Sequence, residues 1–229
     1  MHNVAVICEG KTEQIFCEEL LNPYFNSLGI YLTAIQLTKP GSKGGDVKYE
    51  RMLNDLRIYL NQPHWKCVTT FFDFYGLKGV WAGYEEAQKK ASHQEKHKSL
   101  IESVRNQVKE DLECDSTRYL PNFIMYETEG LYFSSPELMA TELGVSAEDI
   151  EKILEECKEP EAINNSPQTA PSKRIATLLG EKEFKRKNTD GINVAKRVTL
   201  ETMRENCPLF NQWLKDIEGM CSGVIHQMV

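Results

Sequence analysis

The chain has 229 residues, a formal net charge of −7 and a pI near 5.4. It is long enough to bury a substantial core and suits one large domain or one domain with an appendage, while its acid surplus argues against a protein that coats nucleic acid non-specifically. No apolar stretch approaches the about 18 residues of a membrane helix, no basic apolar leader opens the sequence, and the seven scattered cysteines include no Cys-x-x-Cys pair, so a non-membrane protein of the cytoplasm is expected, without a disulfide framework or zinc knuckle.

Val4, Ala5, Val6 and Ile7 form a short apolar run of buried-strand type, closed by Gly10. From Lys11 the pattern becomes helical and runs through Ile15, Phe16 and Leu20 to Tyr24 and Phe25. Gly10-Lys11-Thr12 looks like the end of a phosphate loop, but that loop needs an earlier glycine where Ala5 stands, inside the strand. Glu9 would also aim a negative charge at the phosphate, so this reading fails. Glu9 falls at the carboxyl end of a strand and Glu13 in the first turn of the next helix, at the edge where open α/β sheets gather ligands. Capping by Thr12, with Glu13 complementing the helix dipole, accounts for Glu13 but leaves Glu9 unexplained.

Residues 30–38 alternate as a strand, 39–46 form a glycine-rich loop, and Met52, Leu53, Leu56 and Leu60 stand at helical spacing. The β-prone run 65–77 ends in Asp73 and Gly76, a long polar helix is expected over about 83–113, and 119–129 reads as a strand running into Glu127 and Glu129. Strands alternating with helices favour an α/β fold, a mainly parallel sheet flanked by helices on both sides, over residues 1–134. Beyond it, "SPELMATELG", "SAEDIEKILEEC", "APSKRIATLL" and "CPLFNQWLKDIEGM" read as helices joined by Pro, Gly and Asn loops. Residues 135–229 are therefore expected to be a C-terminal helical appendage packed on the sheet domain.

Three strands thus end in acids: Glu9, Asp73, and Glu127 with Glu129. At one sheet edge, together with Glu13, these carboxylates would need cations to stay ionised side by side. Their hard oxygen donors suit Mg²⁺ or Mn²⁺, ions that activate water against a phosphodiester. The structural alternatives are that Asp73 opens a turn and that Glu127 or Glu129 caps the helix beginning at "TEGLYF".

Charge is uneven: residues 148–161 hold seven acids against two bases, and residues 171–197 hold eight bases against three acids. In "APSKRI" Pro171 suits the first helical turn, which sets Ser172, Lys173 and Arg174 at a helix N-terminus where backbone donors favour phosphate. Lys185 and Lys187 are rivals to Lys173, and a solvated basic helix end is the plain alternative. His93 and His97 stand four apart in heavily charged surroundings without a metalloprotease signature, and are expected as a surface pair. Trp65, Trp81, Trp213, Phe71, Phe72 and Phe210 read as core.

"EGKTE", "TTFFDFYGL", "YETEGLYFSSPE", "PEAINNSPQTAPSKRI" and "CPLFNQWL", in this order over nearly the whole chain, resemble a bacterial family of unknown function within the TOPRIM-like (topoisomerase–primase) superfamily. The resemblance implies a mostly parallel sheet that binds Mg²⁺ through a glutamate after the first strand and an Asp-x-Asp after a later one. Related proteins include the overcoming-lysogenisation-defect nucleases, whose Glu-x-x-x-Glu is matched by Glu9 and Glu13 and for whose late lysine Lys173 is the candidate, with Lys185 and Lys187 as rivals. It implies a metal-dependent nuclease acting on DNA or RNA, often encoded beside an ATPase in phage-defence loci. Glu9, Asp73 and Lys173 would then be catalytic, Glu13, Glu127 and Glu129 further metal ligands, and Ser172, Lys173 and Arg174 the phosphate contacts. One departure stands out. Asp-x-Asp is reduced to Asp73-Phe74-Tyr75, so the expectation carries an alternative: a catalytically silent module that binds or regulates a partner ATPase. Oligomeric state is not legible in the sequence.

Overall fold

The computed structural model describes all residues except 40, 41, 44–46, 78–80, 165, 167, 181–186 and 223–229. The chain divides into two compact units, one made of Met1–Phe72, Gly76–Phe123 and Gln212–Val229, the other of Asp73–Tyr75 and Ile124–Asn211.

The first unit opens with β1 (His2–Cys8), whose residues from Val4 onward are buried. A strand buried on both faces must read as a continuous apolar run rather than an alternating one. Helix α1 (Lys11–Phe16) continues through a π-helical turn at Cys17–Leu21 into α2 (Asn22–Ser27). Next come β2 (Ile30–Gln36), a short antiparallel pair of β3 (Thr38–Lys39) and β4 (Ser42–Lys43), and α3 (Tyr49–Leu60). Strand β5 (Trp65–Asp73) is followed by α4 (Tyr84–Gln88), α5 (His93–Asp111), β6 (Tyr119–Leu120) and β7 (Phe123–Ile124). The sheet has five strands in the order β2-β1-β5-β6, with β7 also pairing β5. β1 runs parallel to both β2 and β5, and β5 runs parallel to β6. The expected α/β class with a parallel sheet flanked by helices is the one observed.

The strand expected over 119–129 is shorter than its sequence suggests, and the reason is local. Pro121 has no N–H to give a ladder, so the expected strand 119–129 breaks into two-residue pieces. Side chains replace the missing ladder bonds. The Thr69 hydroxyl donates to the Leu120 carbonyl at 2.7 Å, the Thr70 hydroxyl to that of Asn122 at 2.9 Å, and the Asn122 N–H donates back to Thr70 Oγ1 at 2.9 Å. Both threonines are fully buried, which is tolerable because their hydroxyls are satisfied. The expected helix 83–113 is likewise two helices. Ser92 and Glu95 form a reciprocal capping box that starts α5 afresh, Ser92 Oγ accepting from the Glu95 N–H and Glu95 Oε2 from the Ser92 N–H.

The second unit holds α6 (Pro136–Leu143), α7 (Ala147–Cys157), α8 (Pro171–Leu179), α9 (Lys187–Val198) and α10 (Leu200–Asn206), and α11 (Pro208–Ser222) starts in it. Its hub is a 3-10 helix at Thr128–Ser134, all seven residues of which are buried and against which α6, α8, α9 and α10 pack. Close approach is visible at Gly130, where an added Cβ would stand 3.3 Å from the Pro160 carbonyl oxygen, and at Gly191, where it would meet the Tyr132 hydroxyl at 3.1 Å.

From Gln212 onward α11 belongs to the sheet unit. There Trp213 donates its indole N–H to Thr69 Oγ1 at 2.9 Å and packs its ring 5.2 Å, centroid to centroid, from that of Phe71. All seven cysteines are free thiols.

The first turn of α11 carries a pH-dependent cap. Glu161 is 3% exposed and accepts from the Leu209 and Phe210 N–H groups at 3.0 and 2.8 Å. Burial raises its pKa from 4.5 to about 7 against the pull of those two amides. A carboxyl whose folded pKa lies above its unfolded one contributes fully below pH 4.5 and loses that contribution as pH rises toward 7. Glu161→Gln keeps the acceptor without the charge. Urea unfolding of the wild type should show a loss of about 2–3 kcal/mol between pH 5 and 8 at this site, and the variant should lack it. Equal slopes in the two proteins would overturn the assignment.

Candidate functional site

In the first unit, β1 and β5 are adjacent and parallel, so their carboxyl ends issue from one edge of the sheet. Glu9 follows β1 directly, and its N–H donates to the Phe71 carbonyl at 3.1 Å, extending the ladder by one residue. Its half-buried side chain reaches over Gly76. A Cβ added there would lie 2.6 and 2.9 Å from the two carboxylate oxygens, so only glycine lets Glu9 stand where it does. Glu13 is buried, and its Oε2 accepts from the Gly10 N–H at 2.8 Å. Gly10, not Thr12, is the N-cap of α1, and Glu13 reaches back to accept from its N–H, the half of a capping box that needs no side chain on the cap.

In the second unit, Asp73 Oδ1 accepts from both the backbone N–H and the hydroxyl of the fully buried Thr128, at 2.9 and 2.8 Å. It thereby holds the start of the 3-10 hub. Glu127 spends both oxygens on α8: Oε2 accepts from the Ser172 N–H at 2.8 Å and Oε1 from the Ser172 hydroxyl at 3.1 Å. The anion at this helix N-terminus is therefore a carboxylate of the chain itself. Glu129 is 6% exposed, inside the hub. Arg174 donates to Glu156 Oε2 at 3.0 Å, to the Thr169 carbonyl at 3.1 Å and to Cys157 Sγ, which ties α8 to α7. Lys173 is exposed. Lys185 and the side chain of Lys187 lie outside the described residues.

Among the described residues, no group of three or more His, Cys, Asp or Glu is arranged to hold a metal ion. This bears on how a cation would fit. Mg²⁺ is commonly held by only one or two carboxylates, with water and substrate phosphate completing its octahedron. Glu9 and Asp73 both carry hard oxygen donors, and Asp73, like Glu13 and Glu127, already serves a backbone N–H.

His93 and His97 are not the expected surface pair. His93 is 7% exposed and the Nε2 atom of His97 is buried. Both fall on the stripe of α5 that carries Leu100, Val104 and Val108. Of the aromatics expected in the core, Trp81, Trp213, Phe71, Phe72 and Phe210 are buried, and Trp65 is half-buried.

Sequence reasoning missed Gly76 as a site residue, as well as Thr128 and Ser172 as the partners of Asp73 and Glu127. A glycine three residues beyond a strand-end acid was an available signal for the first. The other two depend on pairings that linear sequence does not display.

Fold and site together define an α/β protein whose central parallel sheet carries a glutamate just past β1 and an aspartate at the end of β5. The chain matches, over residues 8–218, the family described as Domain of unknown function (DUF4276), and it belongs to that family. No curated protein and no solved structure matches it significantly. Among the described residues no helix is long and apolar enough to cross a membrane.

Proposed function

We propose that this chain is a TOPRIM-like, Mg²⁺- or Mn²⁺-dependent nuclease that hydrolyses phosphodiester bonds in DNA or RNA, in keeping with an anti-phage role beside an ATPase. The observation that carries the reading is Glu9. Its carboxylate lies over Gly76 at the carboxyl edge of two neighbouring parallel strands, where a Cβ on residue 76 would meet both of its oxygens. Asp73, at the end of β5, offers hard oxygens of the same kind and is held by Thr128 through one of them. A hard divalent ion on these donors would supply an activated water and charge stabilisation at the phosphate. Glu9 would bind the ion and take up a proton from the attacking water. The exposed ammonium of Lys173 would neutralise charge growing on the scissile phosphate. Labelled DNA and RNA pools incubated with the protein, with and without Mn²⁺, test this: cleavage of either pool only with metal is the expected result, and none under any metal condition refutes it.

A second reading has its own observation. Glu13, Asp73 and Glu127 each spend carboxylate oxygens on hydrogen bonds within the protein, and the exposed Tyr75 stands where an Asp-x-Asp would have its second acid. A silent module that docks a partner ATPase would look like this. Mn²⁺ titration separates the two: metal binding lost in Glu9→Ala supports the enzyme, and no binding at millimolar Mn²⁺ supports the module.

A further inference from the structure

The first unit contains a polar cluster that the proposed chemistry leaves unused. His93 and His97 lie one turn apart on α5, and Asn122 sits between β6 and β7 where Pro121 interrupts the strand. Asn122 is 2% exposed, and its backbone exchanges two hydrogen bonds with Thr70 of β5. Nε2 of His97 and Nδ2 of Asn122 are both buried and make no hydrogen bond.

We propose that His97, with His93 and Asn122, forms an acid-sensitive latch that keeps the β6–β7 segment clasped to β5 at neutral pH and loosens it as the solution becomes acidic. The physical reason is that Nε2 has no acceptor for a proton placed on it. A proton on Nε2 would point into a dry site without an acceptor, and such a group is expensive to bury. The ionisable groups around it offer no relief. α4, which packs on α5, brings the half-buried Tyr84 and the exposed Glu85 and Glu86. β6 brings the buried Tyr119, whose hydroxyl goes to Met52 Sδ, and α5 itself brings His93 and Arg105. Of these, only His93 acts on the charge of His97, and it acts in repulsion. Burial is the leading cause and His93 the next; hydrogen bonding to the Asn122 side chain and the Phe123 backbone opposes them and loses, leaving the His97 pKa lowered from 6.5 to about 4.

The sign follows directly. The folded form takes up its proton later than the unfolded chain, so the latch is fully closed above pH 6.5 and weakens as pH falls toward 4. Each unit in that window costs about tenfold in the closed-to-open ratio. Hydrogen exchange of the backbone amides in Thr69–Phe71 and Tyr119–Ile124, corrected for intrinsic rates, reads it in the intact chain. Protection should fall by about 40-fold between pH 6.5 and 4.5 in the wild type, and His97→Gln, which cannot take up the proton, should remove this dependence. The same slope in both proteins overturns the proposal. The NMR titration of the His97 imidazole in the folded wild type stands without any variant: a midpoint below pH 5 supports the latch, and one near 6.5 overturns it.

Discussion

Glu9→Gln should reduce metal-dependent cleavage by at least about 100-fold while leaving the fold intact. The substitution keeps the size of the side chain and removes the charge that a hard cation requires. It is informative only beside a second variant, because loss of activity after touching a strand-end residue has many causes. Gly76→Ala provides that control from the opposite side. Its new methyl group would arrive 2.6 Å from one Glu9 oxygen and 2.9 Å from the other, so the carboxylate must swing away. The displaced atoms are the far end of a flexible side chain, so unfolding free energy should change by less than about 1 kcal/mol. Cleavage should nevertheless fall about tenfold or more, since a metal ligand displaced by an ångström loses its geometry. Full activity in Gly76→Ala would mean that the position of the Glu9 carboxylate is irrelevant, and the proposed centre would have to be abandoned. Paired loss in both variants, with circular dichroism spectra unchanged, is the expected pattern.

Trp213→Ala should cost the first unit about 3–5 kcal/mol. The indole is 3% exposed, lies against Phe71 and donates to Thr69 Oγ1, whose own hydroxyl goes to the Leu120 carbonyl. Truncation therefore opens a cavity over the centre of β5 and strips one partner from a buried hydroxyl that positions the neighbouring strand. Trp213→Phe, which retains most of the apolar volume, should cost only about 1–2 kcal/mol. Denaturant unfolding of the two variants separates packing from hydrogen bonding. If Trp213→Ala were as stable as the wild type, α11 would not be an integral part of the sheet unit.

How much of this was legible depended on whether the deciding partners were close in sequence. β1 and the buried stretch of β5 could be read directly, because strands covered on both faces must be apolar throughout. Glu9 was conspicuous as an acid ending such a run. Gly76 was not, since its lack of a side chain matters only to a carboxylate contributed by a different strand. The break in the strand expected over 119–129 was foreshadowed by Pro121, but its repair by Thr69 and Thr70 was not. "TEGLYF" looked like the opening of an α-helix and proved to be a buried 3-10 hub, in which Gly130 comes close to Pro160 and Pro171. The histidine pair was misjudged from its charged neighbours, although its spacing to Leu100, Val104 and Val108 already put it on the inward stripe.

The sheet unit is assembled from three separate stretches, the last of which begins at Gln212. A ribosome that has delivered the first 211 residues has therefore released every strand, yet not the indole that seals β5. Until Trp213 emerges, that apolar surface stays uncovered in the nascent chain, open to chaperones and to misassociation.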